Sequence, residues 1–261
     1  MGSLGSRSVR REETLTSDTV LYASKNKIAT ITLNRPDKLN AVNGDMWGAL
    51  EATWQRFIYS DDRVAIITGA GDRAFCVGAD LENPSLDVWR AIPGYIVDIE
   101  KPVISAVFGY CLGGGLGFVQ HADICIAADD TKFAFPEAKV GLAIGGASAL
   151  VLRVPHKIAM ELMLTGDQMD AQRAYQVGLV NKVVPRAQLM DTAMDYATRI
   201  AENAPLVLAM LKSYARTTMP KGPTELSAVY RREAESIFAS KDAKEGIDAF
   251  REKRKPKFLG M

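Results

Sequence analysis

The consecutive glycines Gly113, Gly114 and Gly115 are the feature that most constrains how this chain folds. They follow an apolar, strand-like run over residues 105–112 and precede apolar residues at helical spacing, so the sequence predicts a strand, a tight turn and a helix start. The first amides of a helix lack intrahelical partners and lie at the positive end of its dipole. The turn therefore either offers N–H groups to an anion or oxyanion, or only lets the strand and helix pack closely. Glycines alone do not decide between these two interpretations.

The remaining pattern predicts an α/β fold. Strand-like runs alternate with helical periodicity up to about residue 147, and helices predominate after it. We predict strands at residues 20–22, 28–33, 64–68, 102–108, 124–127 and 131–135, with the first two forming a hairpin. We predict helices from residue 43 and over residues 86–99, 159–164, 170–177, 187–203, 205–217, 223–238 and 242–253.

Charge and hydropathy exclude several classes of function. The 32 Lys and Arg residues nearly balance 31 Asp and Glu residues, which argues against a nucleic-acid partner. No apolar run is long enough to span a membrane, and residues 1–18 are polar and aperiodic rather than signal-like. We therefore expect a cytoplasmic protein with no membrane partner and a loose N-terminal extension.

Cysteine and histidine usage argues against a metal site. Cys76, Cys111 and Cys125 each lie among small or apolar residues, as reduced, buried cysteines do. His121 and His156 are the only histidines, and their spacing with the cysteines matches no zinc pattern. We expect no metal.

Five motifs occur in an order that is more specific than any one of them. They are Asn34-Arg35-Pro36 with Asn40-Ala41; residues 75–81 (FCVGADL); residues 101–107 (KPVISAV) with Gly109-Tyr110 and the glycine cluster; Pro136-Glu137 with Gly141; and Leu164-Thr165-Gly166. From about residue 20 to the C-terminus, the chain resembles the crotonase superfamily of enoyl-CoA hydratases and isomerases. The resemblance implies a crotonase-like spiral of ββα units over residues 19–200 and a helical trimerisation region over residues 201–261. It also implies a homotrimer or a dimer of trimers.

The resemblance further implies an enzyme that acts on an acyl-CoA thioester, with no cofactor beyond the coenzyme A of its substrate. The backbone N–H groups of Ala79 and Gly114 correspond to the family's oxyanion donors, and Glu137 to its acid/base group. Deprotonation beside a thioester puts negative charge on the carbonyl oxygen, where each preorganised donor contributes about 3 kcal/mol. Without the flanking motifs, a glutamate after Pro136 would be interpreted as a solvated loop residue.

Substrate contacts are implied for further residues. Lys38 and Lys253 match the positions that hold the coenzyme A nucleotide, although lysines of this kind are commonly ordinary surface charges. The complete set of predicted substrate-binding residues is Lys38, Ala41, Gly78, Asp80, Leu81, Gly113, Gly117 and Lys253.

Two departures limit what the resemblance implies. Gly117 stands where hydratases of the family usually carry a second glutamate, and a single carboxylate suits double-bond isomerisation better than hydration. His121 follows one turn later on the same helical face and either leans into that space or is a buried histidine near Asp123. The loop at residues 141–146 lacks the proline that many relatives carry there. Dehalogenases of the family displace halide with an aspartate near this position, and the chain has Gly145 instead.

These observations predict an enoyl-CoA hydratase or isomerase that stabilises a thioester enolate and moves protons with one glutamate. The alternative is a non-catalytic acyl-CoA-binding or scaffolding protein of the same fold.

Overall fold

The computed structural model describes residues 18–83, 85, 90–94, 99–141 and 150–261. The predicted N-terminal extension, apart from its last residue, and most of the loop at residues 141–146 lie outside the described residues. So does most of the helix predicted over residues 86–99. Within it, residues 90–94 form turns and bends rather than an α-helix, because Pro93 lacks an N–H group and Gly94 has a φ of +85°.

The described elements mix strands and helices as far as the last strand and then end in four consecutive α-helices. The strands are β1 (Val20–Lys25), β2 (Ile28–Leu33), β3 (Val64–Gly69), β4 (Ala74–Cys76), β5 (Val103–Val107), β6 (Tyr110–Leu112), β7 (Ile124–Ala128), β8 (Lys132–Ala134), β9 (Met169–Asp170) and β10 (Lys182–Val184). The helices are α1 (Gly44–Tyr59), α2 (Gly114–His121), α3 (Glu137–Val140), α4 (His156–Thr165), α5 (Ala171–Gln176), α6 (Leu189–Ala201), α7 (Pro205–Thr218), α8 (Pro223–Phe238) and α9 (Lys241–Arg251).

Two sheets organise these strands. In the larger sheet the order is β1-β2-β3-β5-β7-β10, and in the smaller it is β4-β6-β8-β9. The β1–β2 hairpin is antiparallel, as predicted, and its turn is made by Asn26 and Lys27, both with positive φ. From β3 to β8 the chain alternates between the sheets, adding one parallel strand to each in turn. The predicted α/β fold built of repeating ββα units is therefore confirmed.

Alternate residues of the larger sheet pack into two separate cores. On β3, Ala65 and Ile67 face the core shared with α1 and α2, whereas Val64 and Ile66 face the core that α6 covers. Both faces of the sheet are thus buried where its strands are parallel, and for this reason its central strands are continuous apolar runs in the sequence. The sheet fixes where β5 ends, and the chain crosses from there through Gly109 to β6 and the glycine cluster.

The C-terminal helices leave many apolar side chains uncovered. On α7 these are Leu206, Val207, Met210, Leu211 and Tyr214, all at least 44% exposed. None of the described helices combines the length and the apolar character that a membrane crossing requires. Nothing in the described part of the chain tests the predicted boundary at residue 200, which stays a prediction.

Candidate active site

Two glycine-bearing loops meet at the start of α2. Gly78 has a φ of +90° and Gly113 a φ of +51°, conformations that residues with a side chain rarely adopt. A Cβ atom on Gly78 would lie 2.8 Å from the Gly114 nitrogen and 3.0 Å from the Leu112 carbonyl oxygen. Gly78 is therefore a glycine because the backbones of the two loops touch there.

The loop that carries Ala79 is tied to the segment before α1. The Val42 N–H donates to the Gly78 carbonyl at 2.8 Å, and the Asp80 N–H donates to the Val42 carbonyl at 3.0 Å. Peptide groups of an extended chain alternate in direction, so the N–H of Ala79 points away from Val42. No described residue accepts a hydrogen bond from the N–H of Ala79 or of Gly114.

Arg35 holds this loop in place through its guanidinium group. Its Nη1 donates to the Ala41 carbonyl at 2.6 Å and lies 2.9 Å from Oδ2 of Asp80. Hydrogen bonding to Arg35 lowers the pKa of Asp80 although burial opposes the shift. The carboxylate of Asp80 is therefore engaged by Arg35, and this ion pair orients the backbone that includes Ala79.

Gly114 is the first residue of α2. The preceding Gly113 donates its N–H to the Ala134 carbonyl at 2.9 Å, which fixes the helix start against the end of β8. The N–H of Gly114 lies in the first turn, where no intrahelical acceptor exists and the helix dipole is positive. This group can stabilise an oxygen that carries negative charge.

Glu137, the first residue of α3, reaches the same place. Its Oε1 lies 3.0 Å from the position that a Cβ atom on Gly113 would take, so the carboxyl group fills the space beside the glycine turn. Oε2 is buried and has no hydrogen-bond partner among the described residues. Burial raises the pKa of Glu137, and a hydrogen bond from its own N–H opposes the shift. A half-buried carboxyl group with a raised pKa is suited to taking and returning a proton.

Ile92 fills the space beside Gly117. Its Cδ1 lies 2.7 Å from the position of a Cβ atom on Gly117. His121 lies one turn further along, with Nδ1 3.2 Å from the corresponding position on Gly94. Burial and the charge of Arg153 lower the pKa of His121 to about 3, so the ring is neutral at physiological pH. The structure thus favours the buried histidine of the two alternatives.

Asp123, predicted from the sequence to lie near a buried His121, has partners of its own. The Asp123 carboxylate accepts hydrogen bonds from the Val103 N–H at 2.7 Å and from Lys212 Nζ at 2.6 Å. Arg153 is the charge that most affects His121.

Three of the predicted substrate-binding residues, Lys38, Leu81 and Lys253, are exposed. Lys38 is exposed and pairs with Glu82 at 2.7 Å, and this partner raises the pKa of Lys38. Leu81 is 61% exposed. Lys253 is an exposed residue beyond the end of α9, which packs on α8. The structure thus brings together Gly78, Gly113, Gly114 and Glu137, with Ala79 next to Gly78 in the chain.

Sequence reasoning missed the roles of Arg35 and Ile92. Arg35 lies in the first of the five motifs, and the sequence signal for its role was a cation beside a turn-forming proline. Ile92 had no such signal, because it lies inside a segment predicted as helix.

The described residues contain no group of three or more His, Cys, Asp or Glu side chains that could hold a metal ion. The three cysteines are free thiols in the core.

Comparisons with known proteins agree with this geometry. The family model described as enoyl-CoA hydratase/isomerase matches residues 23–261. Carnitinyl-CoA dehydratase from Proteus mirabilis (strain HI4320) is 37% identical over 94% of this chain and 99% of its own length. The enzyme of that name from Escherichia coli O157:H7 is 39% identical over 92% and 98%. The crystal structure of carnitinyl-CoA hydratase from Mycobacterium avium superposes with a TM-score of 0.73 at 34% identity, covering 94% of this chain and all of that one.

Proposed function

We propose, from the premise that the chain belongs to the enoyl-CoA hydratase/isomerase (crotonase) superfamily, that it moves a proton on an acyl-CoA thioester at the glycine turn. The thioester oxygen accepts hydrogen bonds from the N–H groups of Ala79 and Gly114, and Glu137 is the acid/base group. The acyl chain lies along Gly78, Gly113 and Gly117. Coenzyme A enters as part of the substrate, and no other cofactor takes part.

One observation carries this proposal: Oε2 of Glu137 is buried without a partner among the described residues, and Oε1 of the same carboxyl group lies 3.0 Å from the position of a Cβ atom on Gly113, one residue from the Gly114 N–H. A buried carboxyl oxygen without a partner costs stability, and such an atom is a sign of a functional site. Its raised pKa also fits proton exchange with a weakly acidic carbon. These features argue against a non-catalytic scaffold.

Double-bond isomerisation is the reaction that a single carboxylate performs most simply. Glu137 takes a proton from carbon 2 of a 3-enoyl thioester, and the electron pair of that C–H bond moves into a dienolate. The negative charge on the thioester oxygen is held by Ala79 and Gly114. Glu137 then returns the proton to carbon 4, which leaves a 2-enoyl thioester and the original carboxylate.

Dehydration of a 3-hydroxyacyl-CoA is the second candidate, because relatives at 37–39% identity are named carnitinyl-CoA dehydratase. Glu137 takes the proton from carbon 2 and gives it to the departing hydroxyl group, so that water leaves and a 2-enoyl thioester forms. Gly117 supplies no second carboxylate to hold that water, and because dehydration and hydration share one transition state, both directions are slowed relative to an enzyme with two carboxylates.

Coenzyme A binds outside the glycine turn in this proposal. Lys38 exchanges its exposed partner Glu82 for a phosphate group of the nucleotide, while Ala41 and Leu81 border the entrance. Asp80 contributes by holding the loop through Arg35 rather than by touching substrate. Lys253 supplies a second cation, either in its own chain or to a neighbouring subunit.

A homotrimer or a dimer of trimers accounts for the uncovered apolar side chains of α7. A monomer rarely exposes a continuous patch of this kind to water. We expect size-exclusion chromatography with light scattering to give three or six times the chain mass of 28.4 kDa. Leu206→Asp with Leu211→Asp is expected to yield monomers, and a monomeric parent protein would contradict the assignment.

The reaction type is tested with matched 2-enoyl, 3-enoyl and 3-hydroxyacyl thioesters of one chain length. In deuterium oxide we expect the 3-enoyl thioester to convert to the 2-enoyl isomer, with deuterium entering at carbon 4 whenever the proton held by Glu137 exchanges with solvent before it is returned. Faster loss of water from the 3-hydroxy thioester would select the dehydratase instead. No turnover of any of the three, with coenzyme A thioesters still bound, would reject catalysis.

A further inference from the structure

A short segment, residues 90–94, runs along the face of α2 that begins at Gly114. Ile92 Cδ1 occupies the space beside Gly117, and Gly94 lies against His121. Gly114, Gly117 and His121 are spaced by three and four residues, so they share one helix face. The segment therefore covers this face for about one turn, from Gly117 to His121, starting about one turn from the Gly114 N–H.

Three contacts fix this segment to the rest of the protein. The indole Nε1 of Trp54 donates to the Ala91 carbonyl at 2.7 Å in the core. The guanidinium group of Arg90 holds both carboxyl oxygens of Glu235 on α8, at 2.8 and 2.9 Å. Arg90 also lies 3.7 Å from Glu51 on α1. Ile92 follows these anchors directly and is only 1% exposed, so its side chain is held against Gly117.

The contact between Ile92 and Gly117 lies within reach of the reacting carbons. Three residues of α-helix rise about 4.5 Å, which separates Gly117 from Gly114 along the helix axis. A thioester oxygen that accepts from the Gly114 N–H lies about 2.9 Å from that nitrogen. Carbons 3 and 4 of the acyl chain extend beyond the carbonyl by a length similar to this rise along the helix. They therefore come into van der Waals reach of the wall that Ile92 and Gly117 form.

We propose that Ile92 determines which acyl chains the site accepts, by closing the space beside carbons 3 and 4 against a methyl branch. The inference rests on the proposed function, because it takes the Gly114 N–H as the anchor of the thioester. Cδ1 of Ile92 already fills the volume that a side chain at position 117 would need. Since protein interiors are close-packed, an added methyl group on the acyl chain competes for the same volume.

Ile92→Val tests this directly, because it deletes Cδ1 and nothing else. One methylene in an apolar pocket changes selectivity by about 10–200-fold. We therefore expect the ratio of kcat/KM for a 4-methyl enoyl thioester over its straight-chain partner to rise about tenfold or more. Adding Gly117→Ala refills the deleted volume and is expected to return the ratio to that of the parent protein.

Ile66→Val is the matched control. Ile66 is equally buried but faces the other core, which α6 covers, so the same deletion there leaves the ratio unchanged. A folded Ile92→Val protein that turns over the straight-chain substrate with the parent's ratio would overturn the inference. A ratio that moves equally in both variants would also overturn it, since the effect would then be a general loosening.

Binding measurements separate this inference from the proposed function. If the parent protein turns over no enoyl thioester, the proposed function fails. The inference is then decided by the dissociation constants of saturated straight-chain and 4-methyl acyl-CoA. A shift of their ratio by about tenfold in Ile92→Val alone supports Ile92 as the selective wall. An unchanged ratio rejects it.

Discussion

Glu137→Gln is expected to lower kcat by about 10²–10⁴-fold, the range that one general acid/base group contributes. The amide keeps the shape of the side chain and its place against Gly113 but neither takes nor returns a proton. Because the change leaves the N–H groups of Ala79 and Gly114 intact, the dissociation constant of a saturated acyl-CoA is expected to stay within a few-fold of the parent's. Single-turnover kinetics and calorimetric binding on the same protein measure the two effects.

Folding controls make this result interpretable. Glu137 carries a buried oxygen without a partner among the described residues, so the glutamine variant is expected to unfold at the same temperature as the parent or a higher one. Glu161→Gln, an exposed change on α4, is the matched control and leaves kcat unchanged. If Glu137→Gln keeps more than a tenth of the parent's kcat, Glu137 is not the acid/base group.

The pH profile gives a second signature of Glu137. The reaction requires the carboxylate, so kcat/KM is expected to fall tenfold per pH unit below the pKa of Glu137. Burial raises that pKa above its ordinary value of 4.5, and the acidic limb is displaced in the same direction. Because protonation is easier in the folded state, the native protein gains stability as the pH falls through the raised pKa. Glutamine removes both effects, whereas an identical limb in the variant would assign it to another group.

Helices were predictable wherever a local signal marked their ends. The start of α1 is capped by Asn43, whose side chain accepts from the Met46 N–H at 3.0 Å, and α8 spans the predicted residues. In the smaller sheet only β8 was predicted, as a strand over residues 131–135. The strands β4 and β6 have three residues each, which is too short for an alternating pattern, and they are defined by pairing with each other and with β8.

The site was predictable only in part, because it also depends on contacts between segments that are distant in the sequence. The helix start at Gly114 follows from local sequence, but its contact with Gly78 joins segments that are far apart in the chain. Family resemblance supplied that pairing, and physical reasoning from one sequence did not. The role of Ile92 came from neither source, and the motif that contains Arg35 did not reveal its partner Asp80, because each residue acts through a contact that exists only once the loops have packed.

Gly78→Ala is expected to abolish most of the activity without touching any titratable group. The new Cβ atom would lie 2.8 Å from the Gly114 nitrogen, too close for a real contact, so the two loops must separate. Loss of one preorganised oxyanion donor lowers kcat by about 10²–10³-fold, and this change disturbs the loops of both Ala79 and Gly114. It also places alanine at a φ of +90°, which destabilises the fold by about 1–2 kcal/mol.

Gly178→Ala separates strain from contact in this test. Gly178 has a φ of +83°, yet a Cβ atom there would meet nothing within 4 Å. The control is therefore expected to lower the unfolding temperature about as much as backbone strain does in Gly78→Ala, while kcat stays at the parent's value. Should Gly78→Ala lose stability but keep its turnover, the N–H groups of the two loops do not act together on the thioester oxygen. Equal loss of activity in both variants would instead mean that strain anywhere in the fold reaches the site, and the close approach of Gly78 to Gly114 would carry no catalytic role.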